Sequence, residues 1–171
     1  MKKLFLTLLV ALTTCLATQA QKFALVDMEY ILRNVPAYER ANEQLNQISK
    51  KWESEVDAIL KDVEAQYKKY QSESVFLSDA QKNKTEEAIM QKEKQASDLK
   101  KKYFGSEGEL YKKRQSLMAP IQDEIYNAVK DICDQKGYQL VIDRASGGSI
   151  IFASPKIDIS DEVLQKLGYA Q

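Results

Sequence analysis

Residues 38–70 read YERANEQLNQISKKWESEVDAILKDVEAQYKKY and contain the longest regular pattern in this chain. Their apolar side chains recur about every 3.6 residues, which is the period of an α-helix. The positions are Tyr38, Ala41, Leu45, Ile48, Trp52, Val56, Ile59, Val63, Tyr67 and Tyr70. Because the stripe is one residue wide, it can face one partner helix but cannot be buried on several sides.

A second helical pattern follows and supplies that partner. Ser78 and Gln81 have the spacing of a capping box, which predicts a helix start at Ser78. Pro120 is expected to kink this helix or to break it in two. Since about six residues join the two patterns, the helices are predicted to run antiparallel as a hairpin about 50–60 Å long. The second stripe comprises Thr85, Ala88, Ala96, Leu99, Tyr103, Leu110, Leu117, Ile121, Ile125, Ala128 and Ile132, and Lys92 and Arg114 interrupt it.

Three short segments near the two chain ends are rich in β-branched and aromatic residues and are predicted to be strands. They span residues 22–27, 138–143 and 149–153. The link at residues 145–148 contains two glycines that can adopt positive φ angles, so the second and third segments are predicted to form a hairpin. A last helix is expected to begin at Ser160.

These elements predict an α+β fold with two parts. Residues 21–36 and 119–171 form a small β body, and residues 37–118 form a coiled-coil arm with its tip near residues 72–78. Three short strands are too small a core to be stable alone, so we expect the body to mediate oligomerisation. The candidate contacts between subunits are Phe23, Leu25, Leu140, Ile142, Ile151 and Phe152.

The first twenty residues have the features of a secretory signal. Lys2 and Lys3 precede an apolar run at residues 4–12, and small residues end at Ala20, where cleavage is expected. The mature chain then has 23 basic and 25 acidic side chains, a net charge of −2. It keeps one cysteine, Cys133, so it cannot form an internal disulfide, and burial as a small apolar residue is expected there.

The composition argues against an enzyme. The chain has no histidine, which excludes Ser-His-Asp catalysis and histidine-ligated zinc. No GxxxxGK[ST] or GxGxxG motif is present to bind nucleotide phosphates. We therefore predict no catalytic residue, no metal and no cofactor. The basic run at residues 100–102 has Glu107 and Glu109 nearby and is interpreted as a solvated helix face, so no nucleic-acid partner is expected.

Six stretches near the two ends of the mature chain and around Pro120 match the sequence pattern of a known family. They are residues 23–27, 31–32, 36–38, 120–121, 136–143 and 158–163. With these stretches the chain resembles the Skp/OmpH-like periplasmic chaperone family along its mature length. The resemblance implies a jellyfish-like homotrimer in which a β body carries three helical arms around a cavity. It also implies a periplasmic holdase that binds unfolded outer-membrane proteins without ATP, prevents their aggregation and releases them passively.

The charge distribution departs from the strongly basic members of that family. Residues 61–102 carry ten basic and eight acidic groups, whereas the rest of the mature chain carries 13 basic and 17 acidic groups. A weak or absent contact with membranes is therefore expected, and affinity for lipopolysaccharide is not carried over to this chain.

The client contacts are expected on the arms, at the tip residues Val75, Phe76 and Leu77 and at aromatic positions. Each has a structural alternative, since the tip residues could simply close the hairpin and the seam tyrosines could pack helix against helix. Phe104 lies one step off the seam and is the better exposed candidate. The aromatic candidates are Tyr67, Tyr70, Tyr103 and Phe104.

Gly105 and Gly108 are unusual inside a helix, where each costs about 0.8–1 kcal/mol relative to alanine. Folding the hairpin about residue 75 places them opposite Leu45 and Asn42. They predict either a hinge in the arm or a close approach of two helices. For the protein as a whole, the alternative to a holdase is a structural coiled-coil spacer or adaptor of the cell envelope.

Overall fold

The computed structural model describes residues 22–147 and 150–169, so the expected signal at residues 1–20 lies outside the described residues. The chain divides into a hairpin unit, Pro36–Asp123, and a terminal unit formed by the ends up to Val35 and from Glu124. The elements in chain order are β1 (Lys22–Val26), α1 (Met28–Arg33), α2 (Pro36–Glu73), α3 (Asp79–Phe104), α4 (Glu109–Lys136), β2 (Tyr138–Asp143) and α5 (Ser160–Lys166), with 3₁₀ turns at Ser74–Phe76 and Pro155–Ile157.

The first two predicted strands pair in parallel in the terminal unit. Phe23 is the partner of Leu140 and Leu25 is the partner of Ile142. Parallel neighbours need a long crossover connection, and the helical residues between β1 and β2 provide it. The strands come from opposite ends of the sequence, and their pairing closes the terminal unit.

The predicted third strand is wrong for the residues that the structure describes. Residues 150–154 have no regular structure, and Ile151 is fully exposed. The far edge of β1 is taken instead by the chain near Ile159, whose N–H donates to the Leu25 carbonyl at 2.9 Å. The outer edge of β2, with which the predicted hairpin would pair, has no strand partner among the described residues. Gly148 and Ser149, which belong to the predicted hairpin, lie outside the described residues.

The core of the terminal unit lies between β1, α1 and α5. Ile31 and Val163 are completely buried there, and Leu25 is 4% exposed. The prediction that Leu25 contacts another subunit is therefore wrong, because the segment that bridges to β1 at Asp158 covers this strand position. Burial of these side chains is the main stabilising contribution in this unit.

A polar network joins the ends of both strands to α5. The Asp27 carboxylate caps α1 by accepting the Tyr30 N–H at 2.8 Å, and it also accepts the Arg144 side chain at 3.1 Å. Arg144 forms a second ion pair with Asp158 at 3.3 Å. The Asp27 N–H donates to the Ser160 hydroxyl at 2.8 Å. Capping and ion pairing thus account for the acidic residues at the strand ends.

Acid should weaken the fold through Asp27. Its pKa is held below the ordinary value, chiefly by the backbone hydrogen bond from Tyr30 and then by Arg144. A carboxylate with a lowered pKa stabilises the folded state above about pH 4 and loses this contribution as the pH falls further. We expect the midpoint of urea unfolding to fall less steeply between pH 5 and pH 3 in Asp27→Asn than in the wild type.

Asp123→Asn is the control for this prediction, because Asp123 is exposed and has no ion-pair partner among the described residues. This variant should keep the pH slope of the wild type. Equal slopes in Asp27→Asn and the wild type would show that Asp27 does not contribute to the loss of stability in acid.

In the hairpin unit, α2 and α3 pack antiparallel, as predicted. Trp52 stacks on Tyr103, Asp62 pairs with Lys92, and the Tyr70 hydroxyl donates to Glu86. The midpoints of these pairs fall between residues 77 and 78. The hairpin therefore does not fold about residue 75, and the predicted placement of Gly105 and Gly108 opposite Leu45 and Asn42 is wrong.

The seam between α2 and α3 is narrow, as the sequence indicates. The buried residues of α2 that face α3 are Val56 and Val63, and those of α3 are Ile89 and Ala96. Ala41 and Leu45 are also buried, but they lie before the part of α2 that faces α3. Ile89 takes the place predicted for Ala88, because α3 follows alternating steps of four and three residues from Thr85. Lys92 lies in the same series, and its ion pair with Asp62 lets a charged group occupy the seam.

The helix break is at Gly105–Gly108 and not at Pro120. Residues 105–108 separate α3 from α4, whereas α4 continues through Pro120. Pro120 and Ser116 are both exposed. Water can therefore satisfy the Ser116 carbonyl, which lacks its helical donor, and this lowers the cost of the proline.

Gly108→Ala should destabilise the hairpin unit. A Cβ at this position would lie 2.7 Å from the Tyr103 carbonyl oxygen and 2.9 Å from that of Lys102. These are backbone atoms, so the turn itself must move, at a cost of about 1–3 kcal/mol. Urea unfolding followed by circular dichroism measures this effect. Ser106→Ala, an exposed change in the same turn, should leave the midpoint within error, and an equally small effect of Gly108→Ala would contradict the argument.

Candidate functional site

The tip of the hairpin presents apolar side chains to solvent. Val75 is 79% exposed and Phe76 is 86% exposed in the 3₁₀ turn between α2 and α3. Leu77 is half buried, and its N–H donates to the Ser74 carbonyl at 3.3 Å. Closing the hairpin therefore accounts for Leu77 but leaves Val75 and Phe76 available to a partner.

Three aromatic rings pack together beside the helix break, and we call them the aromatic cluster (Trp52, Tyr103 and Phe104). The Trp52 and Tyr103 rings are stacked 4.6 Å apart, and Phe104 meets both rings edge-on at 6.5 and 6.2 Å. The Tyr103 hydroxyl donates to Glu55 at 2.7 Å, and this hydrogen bond raises the pKa of Tyr103. Phe104 is half buried and is less exposed than its position beside the seam suggested.

Tyr67 and Tyr70 differ in exposure although both were assigned to the seam. Tyr70 is half buried, and its hydrogen bond to Glu86 raises its pKa. Tyr67 is half exposed, so its assignment to the seam is wrong. The sequence reasoning also missed Leu60 and Met90, which are exposed apolar residues of α2 and α3. Their positions next to seam residues, outside the stripe itself, were the available signal.

A second apolar surface, which we call the body patch, lies on the terminal unit. Phe23 and Leu140 are paired neighbours in the sheet, and both are more than half exposed. Ile142, two residues further along β2, points to the same face. Ile151 and Phe152 are 100% and 85% exposed. Exposed apolar side chains of this size, in a unit whose strand β2 has an open edge among the described residues, are typical of an interaction surface.

The described residues contain no group of acidic or cysteine side chains arranged to hold a metal ion. Within residues 22–147 and 150–169, the helices are all too short or too polar to cross a bilayer. Cys133 is half buried, and burial raises the pKa of its thiol, which disfavours the reactive thiolate.

Comparisons with known proteins agree with this geometry. The model of the family described as "Outer membrane protein (OmpH-like)" matches residues 22–167. The protein named chaperone protein Skp from Yersinia enterocolitica is 26% identical over 159 residues, which are 92% of each chain. A second protein named chaperone protein Skp, from Pectobacterium atrosepticum, is 25% identical over 150 residues, which are 86% of each chain. A crystal structure of an OmpH-like protein from Caulobacter crescentus CB15, described as an outer membrane chaperone, superimposes with a TM-score of 0.71 at 11% identity, covering 88% of this chain and 86% of that one.

The family match and the relatives named chaperones support a chaperone role for this chain. The family match spans nearly the whole described chain. The chain belongs to the OmpH-like outer membrane protein family.

Proposed function

We propose that this protein is an ATP-independent holdase that binds unfolded outer-membrane proteins and keeps them from aggregating. The observation that carries the proposal is the hairpin tip, where Val75 and Phe76 are held in solvent at the end of two long helices. Unfolded membrane barrels expose alternating apolar residues, which such side chains can cover. Binding and release then need no catalytic residue.

Passive release follows from weak contacts on several arms. Each apolar contact is small and breaks quickly, while several arms on one assembly raise the effective concentration and therefore the avidity. A seam one residue wide gives the helices little long-range packing, so the arms should bend to fit clients of different size.

The assembly we propose is a homotrimer formed through the body patch. Its apolar side chains are exposed, β2 has an unpaired edge among the described residues, and a neighbouring copy can cover both. The segment at residues 150–153 has no strand partner among the described residues, and it has the β-branched and aromatic composition of a strand. Three hairpins arranged around a common body would enclose a cavity for the client.

We propose the periplasm as the site of action. The argument rests on the signal features of residues 1–20, with cleavage expected after Ala20, and on the match to the family described as an OmpH-like outer membrane protein. The mature net charge of −2 supports weak or absent contact with anionic membranes.

An aggregation assay tests the holdase proposal. A urea-unfolded outer-membrane barrel protein is diluted into buffer with and without this protein, and light scattering is followed. A holdase suppresses scattering when the trimer is near-stoichiometric to the client. A structural spacer or adaptor leaves the client aggregation unchanged, and that result would favour the alternative function.

A further inference from the structure

The hairpin has two flanks of different chemistry. On one flank, Leu60 and Phe104 line a shallow groove between α2 and α3. Tyr67 follows Leu60 by seven residues and Met90 precedes Phe104 by fourteen, so the heptad spacing places both on this flank. Met90 is 65% exposed, and Leu60 and Tyr67 are about half exposed. We call these four residues the apolar flank.

The other flank is closed by polar contacts between the helices. Glu55 accepts the Tyr103 hydroxyl at 2.7 Å, and Asp62 pairs with Lys92. Glu55 and Asp62 are seven residues apart on α2, and Lys69 lies seven residues further along on the same flank. Side chains on this flank are therefore engaged in holding the two helices together.

Carboxylates surround the apolar flank. Glu53 and Asp57 line the groove with Leu60, and Lys100 is the basic side chain that lines it with them. Glu64 lies seven residues after Asp57, and Glu93 lies seven residues before Lys100. Asp57 and Glu93 have no ion-pair partner among the described residues. Glu64, in contrast, pairs with Lys68.

We propose that the apolar flank is the client-binding face of the arm and that it prefers extended segments in which apolar residues alternate with lysine or arginine. Leu60, Tyr67, Met90 and Phe104 would cover the apolar side chains of such a segment, and the neighbouring carboxylates would attract its basic groups. The inference rests on the proposed holdase function and adds a face and a charge preference to it. The proposal predicts client binding on one flank, whereas a non-specific coiled-coil surface would bind clients on both flanks.

Site-specific photocross-linking tests the face. A benzoylphenylalanine is placed at position 67 or 90 in the full chain, with matched controls at Lys69 and Gln95, which are exposed on the other flank. An unfolded outer-membrane barrel protein should cross-link at 67 and 90 and only weakly at 69 and 95. Equal yields at all four positions, or a dominant cross-link between two copies of this chain, would overturn the proposal.

Peptide competition tests the charge preference. Two twelve-residue peptides of equal length alternate leucine with lysine or leucine with glutamate, and each competes with the client for cross-linking at position 67. The lysine peptide should compete roughly fivefold better, as expected for a few solvent-exposed ion pairs. Asp57→Gln with Glu93→Gln should reduce that ratio towards one, whereas Asp98→Asn, at an exposed position outside the flank, should not. A ratio near one in the wild type would contradict the proposal.

The experiments distinguish a wrong client-binding face from a wrong holdase function. Suppressed aggregation with cross-links at 69 and 95 means that the protein is a holdase that uses another surface. Unsuppressed aggregation removes the holdase function, and the inference falls with it.

Discussion

Replacing Ile151 and Phe152 with aspartate should convert the assembly into a species of about one third of its mass. Both side chains are almost completely exposed in the single chain. In the proposed trimer they are buried, and burying one such side chain contributes about 1.5–3 kcal/mol. Three copies lose six of them, and each new carboxylate would have to be desolvated in the interface. Sedimentation equilibrium at micromolar concentration measures the mass directly.

The tip offers a matched control for this change. Val75→Asp with Phe76→Asp alters two side chains of similar exposure and chemistry in the hairpin unit. This variant should keep the wild-type mass and lose part of its aggregation suppression, whereas the Ile151 and Phe152 variant should lose both. A body variant that still sediments with the wild-type mass would show that the body patch is not the interface between subunits.

The sequence was informative about the hairpin because helical periodicity is a local property. The stripe from Ala41 to Val63 could be assigned from spacing alone, since a narrow seam leaves a single repeated signal. Assignment from spacing has a limit, because it predicted Ala88 in the stripe where the structure buries Ile89. Two neighbouring apolar residues are both compatible with a 3.6-residue period, and only the partner helix selects one of them.

The errors in the terminal unit arise from contacts between distant parts of the chain. Residues 149–153 have the composition of a strand, but composition does not specify which edge such a segment will pair with. Here Arg144 binds Asp27 and Asp158, and the chain then reaches the far edge of β1 at Leu25. The proposed trimer would restore a strand-like role to this segment through another copy, which a single chain cannot display.

The candidate site was predicted in part. Exposure of Val75 and Phe76 could be expected because a hairpin tip has few neighbours. The aromatic cluster could not be foreseen, since the stacking of Trp52 on Tyr103 depends on the register of α2 against α3. That register differs by several residues from the one obtained by folding about residue 75. The half-buried state of Phe104 follows from the same contact.

Trp52→Ala should destabilise the hairpin unit by about 2–4 kcal/mol, because it removes a large ring that contacts both other members of the aromatic cluster. Urea unfolding followed by circular dichroism measures the loss. Tyr111→Ala is the control, since Tyr111 is a half-exposed aromatic residue of the same unit that stacks on no other ring among the described residues. It should cost less than about 1 kcal/mol.

The same variant bears on the proposed hinge at Gly105 and Gly108. The cluster ends at Phe104, directly before the break, so its rings brace α3 against α2 at the point where the helix is interrupted. Loss of Trp52 should leave the break free to bend. With spin labels at position 74 in a Cys133→Ala background, the distances between tips should broaden in Trp52→Ala and stay narrow in Tyr111→Ala.

A narrow distribution in Trp52→Ala despite the lost stability would argue against a hinge. The break would then be a fixed turn, and its structural reason would be the close backbone approaches that exclude a Cβ at Gly105 and at Gly108. The double variant Trp52→Ala with Gly108→Ala separates the two explanations. If the break is a hinge that the aromatic cluster holds in place, the effects of the two changes on the distance between tips should be coupled. If the break is a fixed turn, the two changes should lower the stability independently. The two outcomes distinguish an arm that bends at one hinge, held by the aromatic cluster, from an arm that bends along its whole seam.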